Sequence, residues 1–472
     1  MELLFKNKPA FTEVDPCKVF YNIGSLMDIP TGRYVKGQRG ENILNGGLSV
    51  LTAIVGRGNT YKSTIMHYMM LSASNSVASC GIMPYINTYD TEMNIDMDRL
   101  LEFSKRFDQF KDIDILQMGA WCVTDKTNHL GNEWYKILKE FLKTEKIKNR
   151  KEYLFDTPFI GKDGSVISTI FPSFTEVDSI SEFETADIEE IQDKNQLGDA
   201  KGNTIHMRAG LAKTRLLMEL PGLCNESSNY MLMSAHIGAT IAVQQGPYTA
   251  PPPKKLQHMK MGDEIKGVPN KFYFLPNIVW QTMACSLLIN QGTKGPEYPK
   301  TRGATNESAQ DLNIVTLKTL RCKSGPTGHS IDLIVSQSEG VLPSLSEFNY
   351  VKENGRYGLD GNVLNYSMAL YPEAKLSRTT VRETIDNDPM LRRAIKITAD
   401  LLQIKMYHKG LPFEIPSPQE LYAKLSKKYD WKKLLETRDY WTFKHYENPV
   451  PFLSTLDLID MYYDKYTPYF LK

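Results

Sequence analysis

The stretch Leu51-Thr-Ala-Ile-Val-Gly56-Arg-Gly58-Asn-Thr-Tyr61-Lys62-Ser63-Thr64 carries the strongest structural signal in this 472-residue chain. An apolar run, typical of a buried strand, is followed by a glycine-rich turn that ends in Lys-Ser and opens into a helical pattern. This is the layout of a phosphate-binding loop, where backbone N–H groups and a helix N-terminus surround phosphate oxygens. The sequence therefore predicts an α/β protein with a nucleotide site at this loop.

Each part of the loop has an expected role. Lys62 is expected to reach the outer phosphates, and Ser63 to hold Mg²⁺ through its hydroxyl. Tyr61 departs from the usual pattern, which has glycine before the lysine, and an aromatic residue there restricts the backbone. A glycine-rich turn without a ligand is the alternative interpretation. The predicted nucleotide contacts are Gly56, Arg57, Gly58, Asn59, Thr60, Tyr61, Lys62, Ser63 and Thr64.

The composition is typical of a globular protein, with 41% hydrophobic and 24% charged residues. A chain of this length has room for about two or three domains. The sequence contains no apolar stretch long enough for a bilayer and no secretion signal at its start. The six cysteines are scattered without metal-binding spacing, which favours a reducing compartment, so we expect the cytoplasm. The net charge of +1 excludes a global basic field, so any DNA contact must rest on local segments.

Strand and helix patterns alternate through the middle of the chain, which predicts a mostly parallel sheet with helices on both faces. We expect an N-terminal arm over 1–25 that could contact a neighbouring subunit, a core over 26–345, and a smaller C-terminal domain, α/β or α-rich, over 346–472. A helical, lysine-rich insertion is predicted near 121–159. Two long polar loops are predicted near 185–210 and 246–277, and loops of that length are usually functional or disordered.

Three further residues at predicted strand ends suit ATP hydrolysis. Asp178 could hold Mg²⁺ through a water molecule, although a turn aspartate that caps the next segment is the alternative. Glu92 could polarise the attacking water, although it could equally be a first-turn helix residue. His236 could sense the outer phosphate, although a satisfied core histidine is the commoner case. Taken together with Lys62, they make a stronger case than any one residue alone.

The two long loops are the candidate DNA contacts. In the second loop, spaced lysines alternate with aromatic residues, which suits phosphate and base contacts. The first loop gives a weaker signal, since acidic residues oppose its cations. A solvated surface loop is the alternative for both. The predicted DNA-binding residues are Lys201, Arg208, Lys254, Lys255, Lys260 and Lys271.

These landmarks together resemble the RecA-type recombinases, and within them the UvsX-type recombinases of tailed phages. Gly56–Ser63 resembles their phosphate loop, where UvsX-type proteins also carry an aromatic residue before the lysine. Tyr89-Asp90-Thr-Glu92 resembles the segment whose glutamate is the catalytic base. Val177-Asp178-Ser179 is similar to the family's Walker B motif, and Ser234-Ala-His236 is similar to its γ-phosphate sensor.

The resemblance extends over roughly residues 25–405. It gives Arg321 and Lys323 a role in the neighbouring subunit's ATP site, and Arg99 the place of an adenine-stacking tyrosine. Asn270–Tyr273 is similar to the end of the second DNA-binding loop. The chain departs from the family in the long gap between Glu92 and Asp178, in Arg99 itself, and in the short N-terminal arm.

The resemblance implies a RecA-like phosphate-loop ATPase core and a DNA-dependent ATPase that uses ATP and Mg²⁺. It implies a recombinase that forms helical filaments on single-stranded DNA and pairs that strand with homologous duplex DNA. Its expected roles are recombination, repair and recombination-dependent replication in the host cytoplasm. Single-strand-binding and loader proteins are possible partners, and no membrane is expected.

Three other functions remain open from the sequence. A hexameric DNA helicase shares the same core, but helicases of that class carry an extra N-terminal domain for which the residues before the core leave no room. A recombination mediator could bind nucleotide without hydrolysis, which the retained Lys62, Glu92 and Asp178 argue against. A small-molecule kinase would need a substrate lid and would leave the lysine-bearing loop unexplained.

Overall fold

A computed structural model of the chain describes residues 18–184, 203–239, 254–304, 310–408 and 411–471. Its strands are β1 (Arg33–Lys36), β2 (Asn42–Asn45), β3 (Leu51–Gly56), β4 (Tyr85–Asp90), β5 (Trp121–Asp125), β6 (Leu154–Ile160), β7 (Val166–Ile170), β8 (Ser173–Asp178), β9 (Asn229–Ala239), β10 (Asp263–Ile265), β11 (Ile278–Leu287), β12 (Leu312–Cys322), β13 (Ser330–Ser336), β14 (Gly340–Val341), β15 (Leu359–Asn362), β16 (Asn365–Met368) and β17 (Tyr371–Leu376). Its α-helices are α1 (Asp28–Thr31), α2 (Lys62–Ala78), α3 (Met97–Ser104), α4 (Gly131–Glu140), α5 (Asn203–Ser227), α6 (Pro343–Glu353), α7 (Val381–Asn387), α8 (Pro389–Tyr407), α9 (Pro418–Lys428), α10 (Trp431–Leu435) and α11 (Thr455–Tyr462).

A large, mostly parallel sheet forms the centre of the molecule, as the alternating pattern predicted. Its strand order is β14-β13-β12-β11-β3-β9-β8-β4-β5, and β10 pairs with the end of β9. The six neighbouring strands β11, β3, β9, β8, β4 and β5 are parallel to one another. Strands β12, β13 and β14 continue the sheet beyond β11 in antiparallel pairs. All six residues of β3 and of β8 are buried, which parallel strands covered on both faces require.

The strand, loop and helix predicted around the phosphate-binding motif are confirmed. Strand β3 ends at Gly56, and α2 begins at Lys62. Because the carboxyl ends of parallel strands meet at one sheet edge, this loop lies beside the ends of β9 and β11. The sheet therefore positions the candidate residues on neighbouring strands.

The helical prediction for 121–159 is wrong at both ends. Trp121–Asp125 forms β5, the edge strand of the central sheet, and Leu154–Ile160 forms β6, which pairs with β7. The buried Trp121 indole donates to Thr88 on β4, a long-range contact that overrides the lysine-rich helical pattern. Only the middle is helical, where α4 continues into a π-helix over Phe141–Ile147.

Both predicted loops are shorter than expected. Helix α5 begins at Asn203, inside the first loop, whose residues 185–202 lie outside the described part of the chain. In the second loop, Asp263–Ile265 forms β10, and Asn270–Tyr273 forms a 3-10 helix. Ile265 is buried and pairs with Ile237, so burial of one apolar side chain turns a polar segment into a strand. Residues 246–253 lie outside the description.

Part of the predicted N-terminal arm belongs to the body of the chain. Tyr21 is buried and pairs with Leu48 through two backbone hydrogen bonds. The Tyr230 hydroxyl donates to the carbonyl of Val19. Residues 19–25 are therefore occupied within their own chain, and any arm available to a neighbour is limited to residues before them; residues 1–17 lie outside the description.

The predicted start of the C-terminal domain at 346 falls inside α6, which packs against β13 and α8. The buried Trp441 indole donates to the carbonyl of Phe20 and stacks on Tyr21 at 5.0 Å between ring centroids. One continuous cluster of buried apolar side chains therefore includes residues on both sides of 346. Within the described ranges, no helix is both long and apolar enough to cross a membrane.

Candidate nucleotide site

The loop between β3 and α2, the candidate phosphate loop, is closed by contacts that leave no space for a side chain at Gly56. A Cβ atom there would lie 1.8 Å from the Thr282 hydroxyl oxygen. That hydroxyl, on β11, is hydrogen-bonded to Thr60 at 2.7 Å, and Thr60 also donates to the carbonyl of Arg57 at 2.8 Å. The turn is therefore fixed against the neighbouring strand before any ligand binds.

Tyr61 fits the position that usually holds glycine. Its φ of 58° lies in the left-handed region, which costs a non-glycine residue about 1–2 kcal/mol. Its hydroxyl accepts a hydrogen bond of 2.9 Å from the side-chain amide of Asn313 on β12. This hydrogen bond joins the tyrosine side chain to β12, which lies two strands from β3 in the sheet. It helps to offset the free-energy cost of the left-handed backbone at Tyr61.

Lys62 is buried at the start of α2 and directs its ammonium group back into the loop. Its Nζ donates to the carbonyl of Arg57 at 2.9 Å. Burial lowers the pKa of Lys62, while the carboxyl groups of Asp178 and Glu92 act to raise it. These interactions place a cation on the inside of the loop, where outer phosphates would lie.

Asp178 lies at the end of β8, next to Ser63. Its carboxyl group accepts a short hydrogen bond from Ser234, and the Ser63 hydroxyl is close enough to act on its pKa. Burial raises the pKa of Asp178, and these two hydroxyl groups act to lower it. Hard oxygen ligands of this kind suit Mg²⁺, which usually keeps waters and substrate phosphates as its other ligands. Consistent with so few protein ligands, the described residues contain no group of three or more His, Cys, Asp or Glu that could hold a metal.

Glu92 and His236 are brought together from two strands. The imidazole Nε2 lies 2.7 Å from a Glu92 carboxylate oxygen. This hydrogen bond is the main reason that the pKa of Glu92 falls to about 2; burial opposes it. The turn that carries Glu92 is held by Asp90, whose carboxylate accepts four backbone N–H groups from residues 92–95 at 2.8–3.0 Å.

Arg99 is near the same site. Its guanidinium donates to the carbonyl of Gln337 at 2.9 Å and lies over the Phe103 ring at 5.2 Å from the centroid. Its charge acts on the Tyr61 hydroxyl, whose pKa is raised chiefly by burial and lowered by Arg99. The two residues therefore lie close enough to interact electrostatically, and contact with an adenine ring stays a prediction.

The predicted DNA-binding residues differ in their surroundings. Lys254, Lys260 and Lys271 are exposed. Lys255 is partly engaged: its Nζ donates to Asn270 at 3.1 Å and lies 5.4 Å from the Tyr273 ring centroid. Lys201 lies outside the described residues, and Arg208 is on α5 with its side chain outside the description.

The two predicted cross-subunit residues also differ. Arg321 is held within its own chain, because its guanidinium donates to the carbonyls of Pro276 and Phe274 at 3.1 and 3.0 Å. Lys323 is exposed, and partial burial together with Arg321 and Lys18 lowers its pKa. Of the two, Lys323 is the one whose side chain is open to a neighbouring subunit.

Sequence reasoning missed several residues that support the site. Thr282 and Asn313 have no motif of their own and come from distant strands. Ser234 is part of the predicted sensor motif, but its hydrogen bond to Asp178 was not predicted. Ser181 accepts from the backbone N–H of His236 at 3.0 Å and donates to the carbonyl of Lys266 at 2.9 Å. Lys213 on α5 donates to the carbonyls of Ser181 and Gly267 at 2.7 and 2.8 Å. A lysine on a helix carries no sequence signal for such a role.

No family model matches this chain, and a search of curated proteins finds no significant match. Its function is therefore inferred from the geometry of the site and from the sequence landmarks.

Proposed function

We propose that this protein is an ATP-dependent DNA recombinase with a RecA-like core, which forms filaments on single-stranded DNA and pairs it with homologous duplex. The observation that carries the proposal is the Glu92–His236 contact of 2.7 Å, made beside a phosphate loop that holds Lys62 and next to the Ser63–Asp178 pair. Together they supply a base, a phosphate sensor, a cation and a magnesium position. Simple nucleotide storage would need no such base.

In the proposed reaction, a water molecule attacks the γ-phosphate of bound ATP, and ADP and phosphate leave. Glu92 is ionised at neutral pH because His236 holds its pKa near 2, so it can accept a hydrogen bond from that water and orient it. Its strength as a proton acceptor would rise when the γ-phosphate draws His236 away from it. Lys62 stabilises negative charge on the phosphate oxygens. Ser63 and Asp178 would hold Mg²⁺, which would supply positive charge to the phosphate oxygens.

The contacts around Ser181 support a link between hydrolysis and DNA binding. His236 reaches the second predicted DNA loop in one step, since Ser181 joins its backbone to Lys266. Strand β10 of that loop also pairs directly with β9, the strand of His236. Arg57 of the phosphate loop lies 3.3 Å from Asp263 at the start of β10. A shift of His236 on phosphate release would therefore move a segment flanked by Lys260 and Lys271.

Electron microscopy tests the proposal directly. The protein is mixed with single-stranded DNA and a non-hydrolysable ATP analogue, with Lys62→Ala as the matched negative control. Continuous helical filaments that require the analogue and are absent with Lys62→Ala are the expected result. Six-membered rings would assign the chain to the helicases instead. Separate particles that look the same with and without DNA and the ATP analogue would overturn the proposal.

A further inference from the structure

A cavity of about 910 Å³ lies behind the phosphate-loop helix α2, between that helix and α6 and α8. Tyr68 and Ser72 of α2 form one wall, and Glu347 of α6 and Lys396 of α8 form another. Among the phosphate-loop residues 56–64, Thr64 alone lines it, so the cavity is separate from the nucleotide site. Small-molecule pockets typically measure about 300–1,000 Å³.

Glu347 is the unexplained residue of this cavity. Its side chain lines the cavity, the residue is only 2% exposed, and no hydrogen bond or ion pair joins it to a residue that the structure describes. Buried carboxyl groups are almost always paired, because a charged group without a partner loses its hydration at a large cost. Glu347 therefore has an unused capacity to bind a donor.

The charges nearest Glu347 leave an excess of carboxyl groups. Lys396 is hydrogen-bonded to Asp400 and lies 3.4 Å from Asp439, while Arg393 lies 3.3 Å from Asp439. Asp28 accepts only backbone N–H groups, from residues 23 and 24. Four carboxyl groups thus share two cations, and both cations already pair with Asp439, although Nε and Nη1 of Arg393 make no hydrogen bond.

The arginines at the other end of the cavity are also engaged. Arg382 binds Asp311 and Glu339, and Arg106 binds Glu339 and Asp386. Arg392 donates to backbone carbonyls of residues 385 and 386. They offer no free cation to Glu347. Burial raises the pKa of Glu347, and Lys396 acts to lower it while the neighbouring acids raise it further, as expected where a cation is missing.

We propose that this cavity is a binding site for a small organic amine, whose ammonium group donates hydrogen bonds to Glu347. An ammonium group has three donors and suits a carboxylate in a site of low dielectric. The rings of Tyr68 and Phe103, which also line the cavity, offer apolar surface for an alkyl chain. The site does not depend on the proposed recombinase activity.

The test uses the full chain without DNA or nucleotide, with putrescine as the probe and 1,4-butanediol as its neutral analogue of the same shape. Thermal unfolding should show a Tm that rises by about 2 °C for each tenfold increase of putrescine, since a ligand that binds only the folded state stabilises it by mass action. Butanediol should give no rise. The control Glu353→Gln, at the exposed end of the same helix, should behave as the natural protein.

Two variants decide whether the rise comes from the cavity. Glu347→Gln keeps the shape but removes the charge, and Ser72→Leu adds bulk to the α2 wall of the cavity while keeping the Glu347 carboxyl group. Each should abolish the putrescine response while the protein stays folded by circular dichroism. A putrescine response equal to that of the natural protein in a folded variant of either kind would assign the binding to the surface and overturn the proposal. So would the absence of any response in the natural protein.

Discussion

The imidazole of His236 and the carboxylate of Glu92 are hydrogen-bonded at 2.7 Å, although 144 residues separate them in the chain. The contact forms because β9 and β4 flank β8, so their carboxyl ends open at one sheet edge. One partner can take up a proton, and the other lies where it could contact an outer phosphate. Under the proposed function, the state of the phosphate would then be transmitted to both Glu92 and the strand that carries His236.

Replacement of Glu92 should separate ATP binding from hydrolysis. Glu92→Gln keeps the side-chain shape but removes the base, so we expect the DNA-stimulated ATPase rate to fall by about 10²–10⁴-fold while ATP affinity stays within a few-fold. Phosphate release and equilibrium nucleotide binding measure the two quantities. Glu102→Gln is the matched control, since Glu102 is an exposed residue of α3 that pairs only with Lys105. A normal rate for Glu92→Gln would show that another group is the base.

The sequence predicted the strand, loop and helix around Lys62 and the mostly parallel sheet. It also placed Glu92, Asp178 and His236 at strand ends, because each lies in a local pattern there. It could not predict Thr282 or Asn313. Their side chains contact the loop because strand pairing brings β11 and β12 close to it, although both residues are more than 200 positions away in the chain. Local patterns contain no information on such pairing.

The same limit explains the errors. The segment after Trp121 has a helical composition, yet burial of the Trp121 indole against Thr88 makes its start an edge strand. In the second loop, β10 exists because β9 extends past its neighbours and offers an edge for pairing. In both places a tertiary contact decides the secondary structure.

Lys213 should be needed for communication between the two ligands. Lys213→Met removes the donor shared by the carbonyls of Ser181 and Gly267, so the segment after β10 loses its link to α5. We expect ATP to bind normally but to tighten single-stranded DNA binding much less. The ratio of DNA affinities with and without nucleotide, typically about 5–150-fold for coupled sites, should fall toward one. Fluorescence anisotropy of labelled DNA, with and without a non-hydrolysable ATP analogue, measures this ratio.

A matched control for Lys213→Met is Lys105→Met, which removes an exposed lysine outside this network. Two carbonyl groups that lose their donor should lower the free energy of unfolding by at most about 1–3 kcal/mol each. The Tm of both variants shows whether the fold is kept despite this loss. If Lys213→Met stays folded and keeps the full ATP-dependent change in DNA affinity, the link through Ser181 has no role in coupling.

The Tyr61–Asn313 hydrogen bond should stabilise the loop. Tyr61→Phe leaves the buried Asn313 amide without its acceptor, and we expect a loss of about 1 kcal/mol in the free energy of unfolding. Asn313→Leu removes the other partner. In a double-mutant cycle, the two changes together should cost less than their sum by about 1 kcal/mol. Strictly additive costs, measured by urea unfolding, would mean that the bond contributes nothing.

Glu339 should make stability depend on pH in the acid range. It lies between Arg382, Arg106 and Lys300, and although burial acts to raise its pKa, these cations lower it from 4.5 to about 2. A carboxyl group with a depressed pKa stabilises the fold fully above its unfolded pKa, and this contribution is lost as the pH falls from about 4.5 toward 2. The glutamine side chain of the Glu339→Gln variant does not titrate, so the variant should lack this stabilising contribution at every pH.

We therefore expect Glu339→Gln to unfold at a lower urea concentration than the natural protein at pH 7. Its free energy of unfolding should be lower by about 1–3 kcal/mol, because Arg382 is buried and would lose one of its two carboxylate partners. The difference should stay constant down to about pH 5 and narrow below it. Glu373→Gln, which breaks an exposed pair with Lys432, should show almost no difference at any pH. A gap between Glu339→Gln and the natural protein that widens as the pH falls would mean that Glu339 is protonated in the folded state, contrary to the charge arrangement around it.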